Sequence, residues 1–159
     1  MKKITITTAF IIVITLGSIA QIKQNTEGIY LDEHNNPFTG TYNEYFENGN
    51  IRVEMKLTKG IQDGYTNIFF VNGIKNEQRS YSNGLMHGTW ITWNEVEVKL
   101  AEANYNLGQK HGKWYIWDEK GTLRYEMEYE NGAKTGIWKM YNESGELMNK
   151  KDYSQKNKP

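Results

Sequence analysis

Short runs of alternating apolar and polar residues recur every 24 residues along this chain, each bounded by glycine. Gly40, Gly64, Gly88, Gly112 and Gly136 open the copies and serve here as position zero. Positions one to seven read TYNEYFE, YTNIFFV, TWITWNE, KWYIWDE and IWKMYNE. Aromatic and β-branched residues dominate and proline is absent, so each run predicts a strand. A second run follows, as in IRVEMKLT, KNEQRSYS, LRYEMEYE and LMNKKDYS. Between the two stand Asn48-Gly49, Asn72-Gly73, Lys120-Gly121 and Ser144-Gly145, which predict a two-residue hairpin turn. A further glycine column, Gly60, Gly84, Gly108 and Gly132, marks the turn that leads into the next copy. A fixed period of this length is the signature of a repeat architecture.

A two-residue turn sets the register. Position five then pairs with twelve, four with thirteen and two with fifteen, and paired residues share a face. One face collects positions two, four, eleven, thirteen, fifteen and seventeen. In the first copy these are Tyr42, Glu44, Ile51, Val53, Met55 and Leu57; in the fourth, Trp114, Ile116, Leu123, Tyr125, Met127 and Tyr129. This largely apolar face is the predicted core, and the tryptophans at position two belong to it. The other face is polar, with Asn43, Glu47, Arg52, Glu54 and Lys56 in the first copy and Glu119, Arg124, Glu126 and Glu128 in the fourth. Position five breaks its polarity: Tyr45, Phe69, Trp93, Trp117 and Tyr141 are aromatic in all five copies. Exposed aromatic rows mark interaction sites, so these five are the candidate partner-binding residues. Across the strands the register sets Trp117 against Arg124, Tyr45 against Arg52, Trp93 against Leu100 and Tyr141 against Met148. The first two pairs are candidate cation–π contacts.

The predicted fold is all-β: tandem hairpins forming one elongated, twisted antiparallel meander of about ten strands. It spans on the order of 45 Å. The copies are 40–63, 64–87, 88–111, 112–135 and 136–153. Residues 21–39 form a partial repeat or cap, with Tyr30 and Leu31 as its strand. Residues 154–159 form a fraying polar tail. The third copy lacks glycine at the turn, where Glu97 stands, and a looser turn or bulge is expected there.

Units such as GKWYIWDEKGTLRYEMEYENGAKTG and GTYNEYFENGNIRVEMKLTKG resemble the bacterial variant of the MORN repeat over about residues 28–153. The resemblance implies an interaction or structural module and no catalytic residues. Some proteins of this kind are labelled antitoxins of a toxin–antitoxin pair.

Composition narrows the compartment. Lys2 and Lys3 precede an apolar run through Phe10–Leu16, and Ser18-Ile19-Ala20 supplies small residues before a cleavage point. Residues 1–20 therefore read as a secretory signal peptide, with an uncleaved membrane anchor as the alternative. Cleavage after Ala20 would leave no stable membrane span and export the chain to the periplasm, the cell surface or the medium. There is no cysteine, so no disulfide supports the exported fold. The 19 basic residues less Lys2 and Lys3 leave 17 against 19 acidic, a net charge of about −2 with no basic stripe, and nucleic acid is not expected as a partner.

Chemistry is sparse. His87 and His111 share a column, and equivalent columns lie roughly 10 Å apart, too far for two of them to share one metal ion. They read as exposed turn histidines. Glu47, Glu95, Glu119 and Glu143 at position seven, and Glu54, Glu102 and Glu126 at position fourteen, read as a solvated surface rather than a paired acid and base. No serine elbow, phosphate loop or dinucleotide motif occurs. No cofactor or metal is expected. The functional expectation is an exported, non-enzymatic β-repeat scaffold that binds a protein partner. A cell-surface glycan-binding module acting through the aromatic column is the second reading, and an antitoxin the third.

Overall fold

The computed structural model describes residues 22–154. The expected signal peptide and residues 155–159 of the expected tail lie outside them. No helix long and apolar enough to cross a membrane occurs among the described residues. A small pair, β1 (Lys23–Gln24) and β2 (Tyr30–Leu31), precedes the repeats. The copies supply β3 (Gly40–Tyr45), β4 (Ile51–Thr58), β5 (Ile61–Phe69), β6 (Lys75–Ser82), β7 (Leu85–Met86), β8 (Gly88–Trp93) and β9 (Lys99–Asn106). They continue with β10 (Gln109–Lys110), β11 (Gly112–Trp117), β12 (Leu123–Glu130), β13 (Ala133–Tyr141) and β14 (Leu147–Asp152). The main path is an open antiparallel meander of ten strands, β3-β4-β5-β6-β8-β9-β11-β12-β13-β14. The short β7 and β10 hang from β6 and β9. They are the stretches that run unbroken into the strand in β5 and β13.

The hairpin register matches expectation along most of its length, for a different reason. Phe46 N–H donates to the Asn50 carbonyl at 2.8 Å, and Gly49 N–H donates to the Phe46 carbonyl at 3.0 Å. The loop is therefore three residues, Glu47-Asn48-Gly49, with Gly49 alone at positive φ, +85°. This is the turn-plus-glycine-bulge hairpin, not the two-residue turn. It shifts Tyr45 onto Ile51 rather than Arg52. The register then skips Arg52 and returns to Glu44 opposite Val53 and Tyr42 opposite Met55. Two one-residue shifts cancel, so positions two, four, thirteen, fifteen and seventeen keep their expected face. Position eleven does not: it joins position five. All five copies show this pattern.

The third copy is regular, contrary to expectation. Trp93 pairs with Lys99, and Glu97 N–H donates to Asn94 O as its glycine counterparts do. Glu97 adopts φ +62°, the left-handed conformation that glycine holds elsewhere. Asn94 accepts the N–H groups of Val96 at 3.1 Å and Val98 at 2.9 Å, as Asp118 and Asn142 do for their own loops.

The two-residue turns sit between copies instead. Lys59-Gly60, Asn83-Gly84, Leu107-Gly108 and Asn131-Gly132 place both residues at positive φ, the type I′ geometry. Each turn leans on the copy before it. The N–H groups of Gly60, Gly84, Gly108 and Gly132 donate to the carbonyls of Phe38, Gln62, Met86 and Lys110 at 2.7–2.8 Å. The N-terminal cap uses the same contacts: Phe38 N–H donates to Tyr30 O, and Tyr30 N–H to Gly60 O, both at 2.9 Å. Burial is thin. Only Met55, Leu57 and Thr66 carry buried side chains among the described residues, where the first two copies meet. Among the described residues no second layer covers the predicted core face, and Ile116 and Tyr125 on it remain 40% and 42% exposed.

Gly49 and Gly60 make a matched test of these contacts. A Cβ at Gly49 would meet nothing within 4 Å, whereas one at Gly60 would overlap the Ile29 side chain and stand 2.7 Å from the Tyr30 carbonyl oxygen. Gly49→Ala should cost about 1 kcal/mol, the left-handed strain alone. Gly60→Ala should cost clearly more, about 3 kcal/mol, because it also dislodges the cap. Urea unfolding of both variants checks this; equal losses would contradict the packing described.

Candidate functional site

The unlayered face is organised by an aromatic ladder. Tyrosine at position seventeen alternates with tryptophan at position two of the next copy. Tyr81, Trp90, Tyr105, Trp114, Tyr129, Trp138 and Tyr153 follow one another at centroid distances of 5.5, 5.0, 5.2, 5.1, 5.1 and 4.9 Å. The rings are tilted, as aromatic pairs prefer. Tyr30 against Tyr42 at 5.6 Å repeats the step at the N-terminal end. Each indole is pinned: Trp90, Trp114 and Trp138 donate Nε1–H to the carbonyls of Ser80, Asn104 and Glu128 at 2.9–3.0 Å. Burial among these rings pushes the Tyr105 and Tyr129 phenols above their ordinary pKa, so they stay protonated. The tryptophans at position two are thus a half-buried ladder on an open face, not a covered core.

Lysines line this ladder. Lys110 Nζ lies 4.5 Å from the Trp114 ring and 5.0 Å from Tyr129. Lys134 Nζ lies 4.4 Å from Trp138 and 5.4 Å from Tyr153, and Lys151 Nζ lies 5.3 Å from Tyr153. Sequence reasoning missed these cations. The signal was present at position twenty-two, which reads Gln62, Met86, Lys110 and Lys134. Near them a shallow groove is lined by the apolar Tyr125, Met127, Trp138 and Met140 and by Asn149, Lys139, Lys150 and Lys151.

The position-five column lies on the opposite face and is broken up. Tyr45, Phe69, Trp93, Trp117 and Tyr141 pair with Ile51, Lys75, Lys99, Leu123 and Leu147. No two of the five rings stack together among the described residues. Trp117 instead packs 5.6 Å from Tyr115 and 5.3 Å from Lys99 Nζ, and Tyr141 Oη lies 3.3 Å from Glu126. Only Tyr45, at 48%, is a strongly exposed member. The expected stacking of Arg124 on Trp117 and of Arg52 on Tyr45 does not form. The bulge at position twelve turns these arginines away, Arg52 to Glu44 and Arg124 to Asp118 and the Tyr141 carbonyl. Leu100 and Met148 are displaced from Trp93 and Tyr141 for the same reason.

The polar face is a network of satisfied charges. Glu54 accepts from Asn67 at 2.9 Å, Glu102 from Lys99 at 2.8 Å, and Glu126 from Lys139 at 3.0 Å. Lys113 adds contacts of 2.9 Å to Glu128 and 3.8 Å to Glu126. The Lys139 hydrogen bond, aided by Tyr141 and the Lys113 charge, holds the Glu126 carboxyl below its ordinary range. A general acid needs the opposite shift. Glu47, Glu95, Glu119 and Glu143 sit exposed at the hairpin tips.

His87 has a structural role at the position that Thr39 and Asp63 also occupy. Lys59 N–H donates to Thr39 Oγ1 at 2.9 Å, Asn83 N–H to Asp63 Oδ1 at 3.3 Å, and Leu107 N–H to His87 Nδ1 at 3.4 Å. Position twenty-three therefore holds the turn of the following copy. His87 is exposed as expected, whereas His111 is half-buried, its Nδ1 without a partner among the described residues. No group of three His, Cys, Asp or Glu side chains that could hold a metal occurs among them.

The sequence model described as the MORN repeat variant matches residues 38–57, 110–131 and 134–155. The matched stretches are MORN repeat variants. A comparison of the whole chain with curated proteins returns no match. The second copy, and all of the third but Lys110 and His111, fall outside the three matches, yet they share the register of the others, so the structure shows five copies of one hairpin. MORN repeats are generally interaction repeats and form a scaffold rather than a known enzyme family.

The Glu126 network gives a pH prediction. Its carboxyl is depressed in the folded state, so its contribution is present above the ordinary carboxylate range and is lost as pH falls through the folded value. Wild type should therefore exceed Glu126→Gln in stability at neutral pH, with the gap closing in acid. Urea midpoints measured across the acid range check this; a pH-independent gap would contradict it.

Proposed function

We propose that this protein is an exported, non-enzymatic MORN scaffold that docks an extended segment of a partner protein on the aromatic face of its sheet. The observation that carries the reading is the uncovered face itself. Seven rings in register, a groove floored by Tyr125, Met127, Trp138 and Met140, and half-exposed Ile116 form one apolar surface with no layer above it. Contiguous apolar surface of this kind marks an interaction site. The position-five residues support docking less well, because no two of their rings stack among the described residues and only Tyr45 of the five is strongly exposed. A sugar platform is also weakly supported, since neighbouring rings and lysines already flank the ladder rings and the indole donors are taken. Export rests on the pattern in residues 1–20.

Photo-crosslinking tests the placement. A photoreactive amino acid introduced at Ile116 or Tyr125 should yield a covalent adduct with a second protein in cells, and one at Tyr45 or Trp93 should not. Adducts only from Tyr45 or Trp93 would move the site to the polar face. No adduct from either face would remove the docking reading.

A further inference from the structure

Most lysines of copies three to five differ in their partners between the two faces; Lys150, opposite Lys139 on the polar face, is the exception and meets no carboxylate among the described residues. On the polar face of copies three to five, Lys99, Lys113 and Lys139 each meet a carboxylate at 2.8–3.0 Å. On the aromatic face of the same copies, positions two, four, thirteen, fifteen and seventeen contain no Asp or Glu. Arg124, near the hairpin tip, is balanced by Asp118 at 3.5 Å. Lys110, Lys134 and Lys151 pair with no carboxylate among the described residues; they rest against ring faces. A ring face attracts an ammonium without neutralising it. The result is an apolar ladder and groove flanked by uncompensated positive charge, with Lys151 lining the groove and Lys110 and Lys134 on the rings of the ladder, on a chain whose overall charge is balanced.

We infer that the partner segment docked here is an acidic, extended peptide with apolar side chains between its carboxylates. This rests on the docking reading of the same face. Lys110 and Lys134 occupy the same position in adjacent copies, so they stand two strand spacings apart, roughly 10 Å. A peptide crossing the strands in polyproline II geometry advances about 3.1 Å per residue with about three residues per turn, so every third residue faces the sheet and the two lysines meet residues i and i+3. The groove floor of Tyr125, Met127, Trp138 and Met140 then receives the apolar residues between. Three cations are too few for nucleic acid, which depends on many phosphate contacts. An anionic glycan would want hydroxyl-binding donors, and the three ladder indoles spend theirs on backbone carbonyls.

The test uses the full chain and fluorescein-labelled peptides built on Asp-Leu-Ser, Asn-Leu-Ser and Lys-Leu-Ser repeats, with heparin as the glycan arm. Fluorescence anisotropy should show binding of the Asp-Leu-Ser peptide that weakens as salt is raised. The combined variant Lys110→Gln, Lys134→Gln and Lys151→Gln should weaken it by about tenfold or more. The control Lys99→Gln and Lys113→Gln should change it by less than about twofold, since those cations are already neutralised and lie outside the groove. Unchanged binding by the first variant, or no binding of the Asp-Leu-Ser peptide, would overturn the inference, as would heparin binding in its place. Equal binding of all three peptides that is still lost in Tyr125→Ser would also overturn it, while leaving the docking face standing.

Discussion

The contact on which this structure depends is the step between a position-seventeen tyrosine and the position-two tryptophan of the following copy. A single open sheet has no second layer to bury its apolar face, so that face must be stabilised laterally. The Trp–Tyr step does this in the plane of the sheet, with rings about 5 Å apart from one strand to the next. The indole hydrogen bond to the preceding copy's backbone fixes the angle of each ring. Copy thus holds copy, and stability accumulates along the array rather than around a centre. Where the ladder is interrupted, at Leu57 and Thr66, the buried side chains of the molecule take over. At the N-terminal end Tyr30 supplies the missing ring, which is why the cap docks there.

The sequence exposed the repeat, the strands and the two faces because all three follow from period and alternation, which are local. It misplaced the turns. Asn48-Gly49 carries the dipeptide of a two-residue turn, yet the bulge at Arg52 makes a three-residue loop compatible with the same pairing at Glu44 and Val53. Residues near the tip changed face as a result, and Tyr45 with its equivalents lost the partners assigned to them. The irregularity expected at Glu97 vanished because Glu97 itself takes the left-handed conformation and Asn94 holds the loop by the same side-chain acceptor bonds that Asp118 and Asn142 make in the glycine-bearing copies. Coverage was not legible at all. Alternation says which face is apolar, but not whether anything lies above it, and the lysines at position twenty-two gain meaning only once the ladder beside them is known to be open.

The two faces differ in how they hold charge. The polar face holds Glu54, Glu102 and Glu126 in hydrogen bonds and ion pairs. The aromatic face keeps Lys110, Lys134 and Lys151 against rings. A two-residue alternation supplies both arrangements, since each strand contributes residues to either face.

The central claim is that neighbouring rings stabilise each other across copies. It is tested most directly by a double-mutant cycle on Tyr105→Leu and Trp114→Leu, read by urea unfolding. The account predicts a favourable coupling of about 1 kcal/mol between them, beyond the apolar area each loses. Strictly additive losses would mean that the ladder is only a row of independently packed side chains, and would contradict the account.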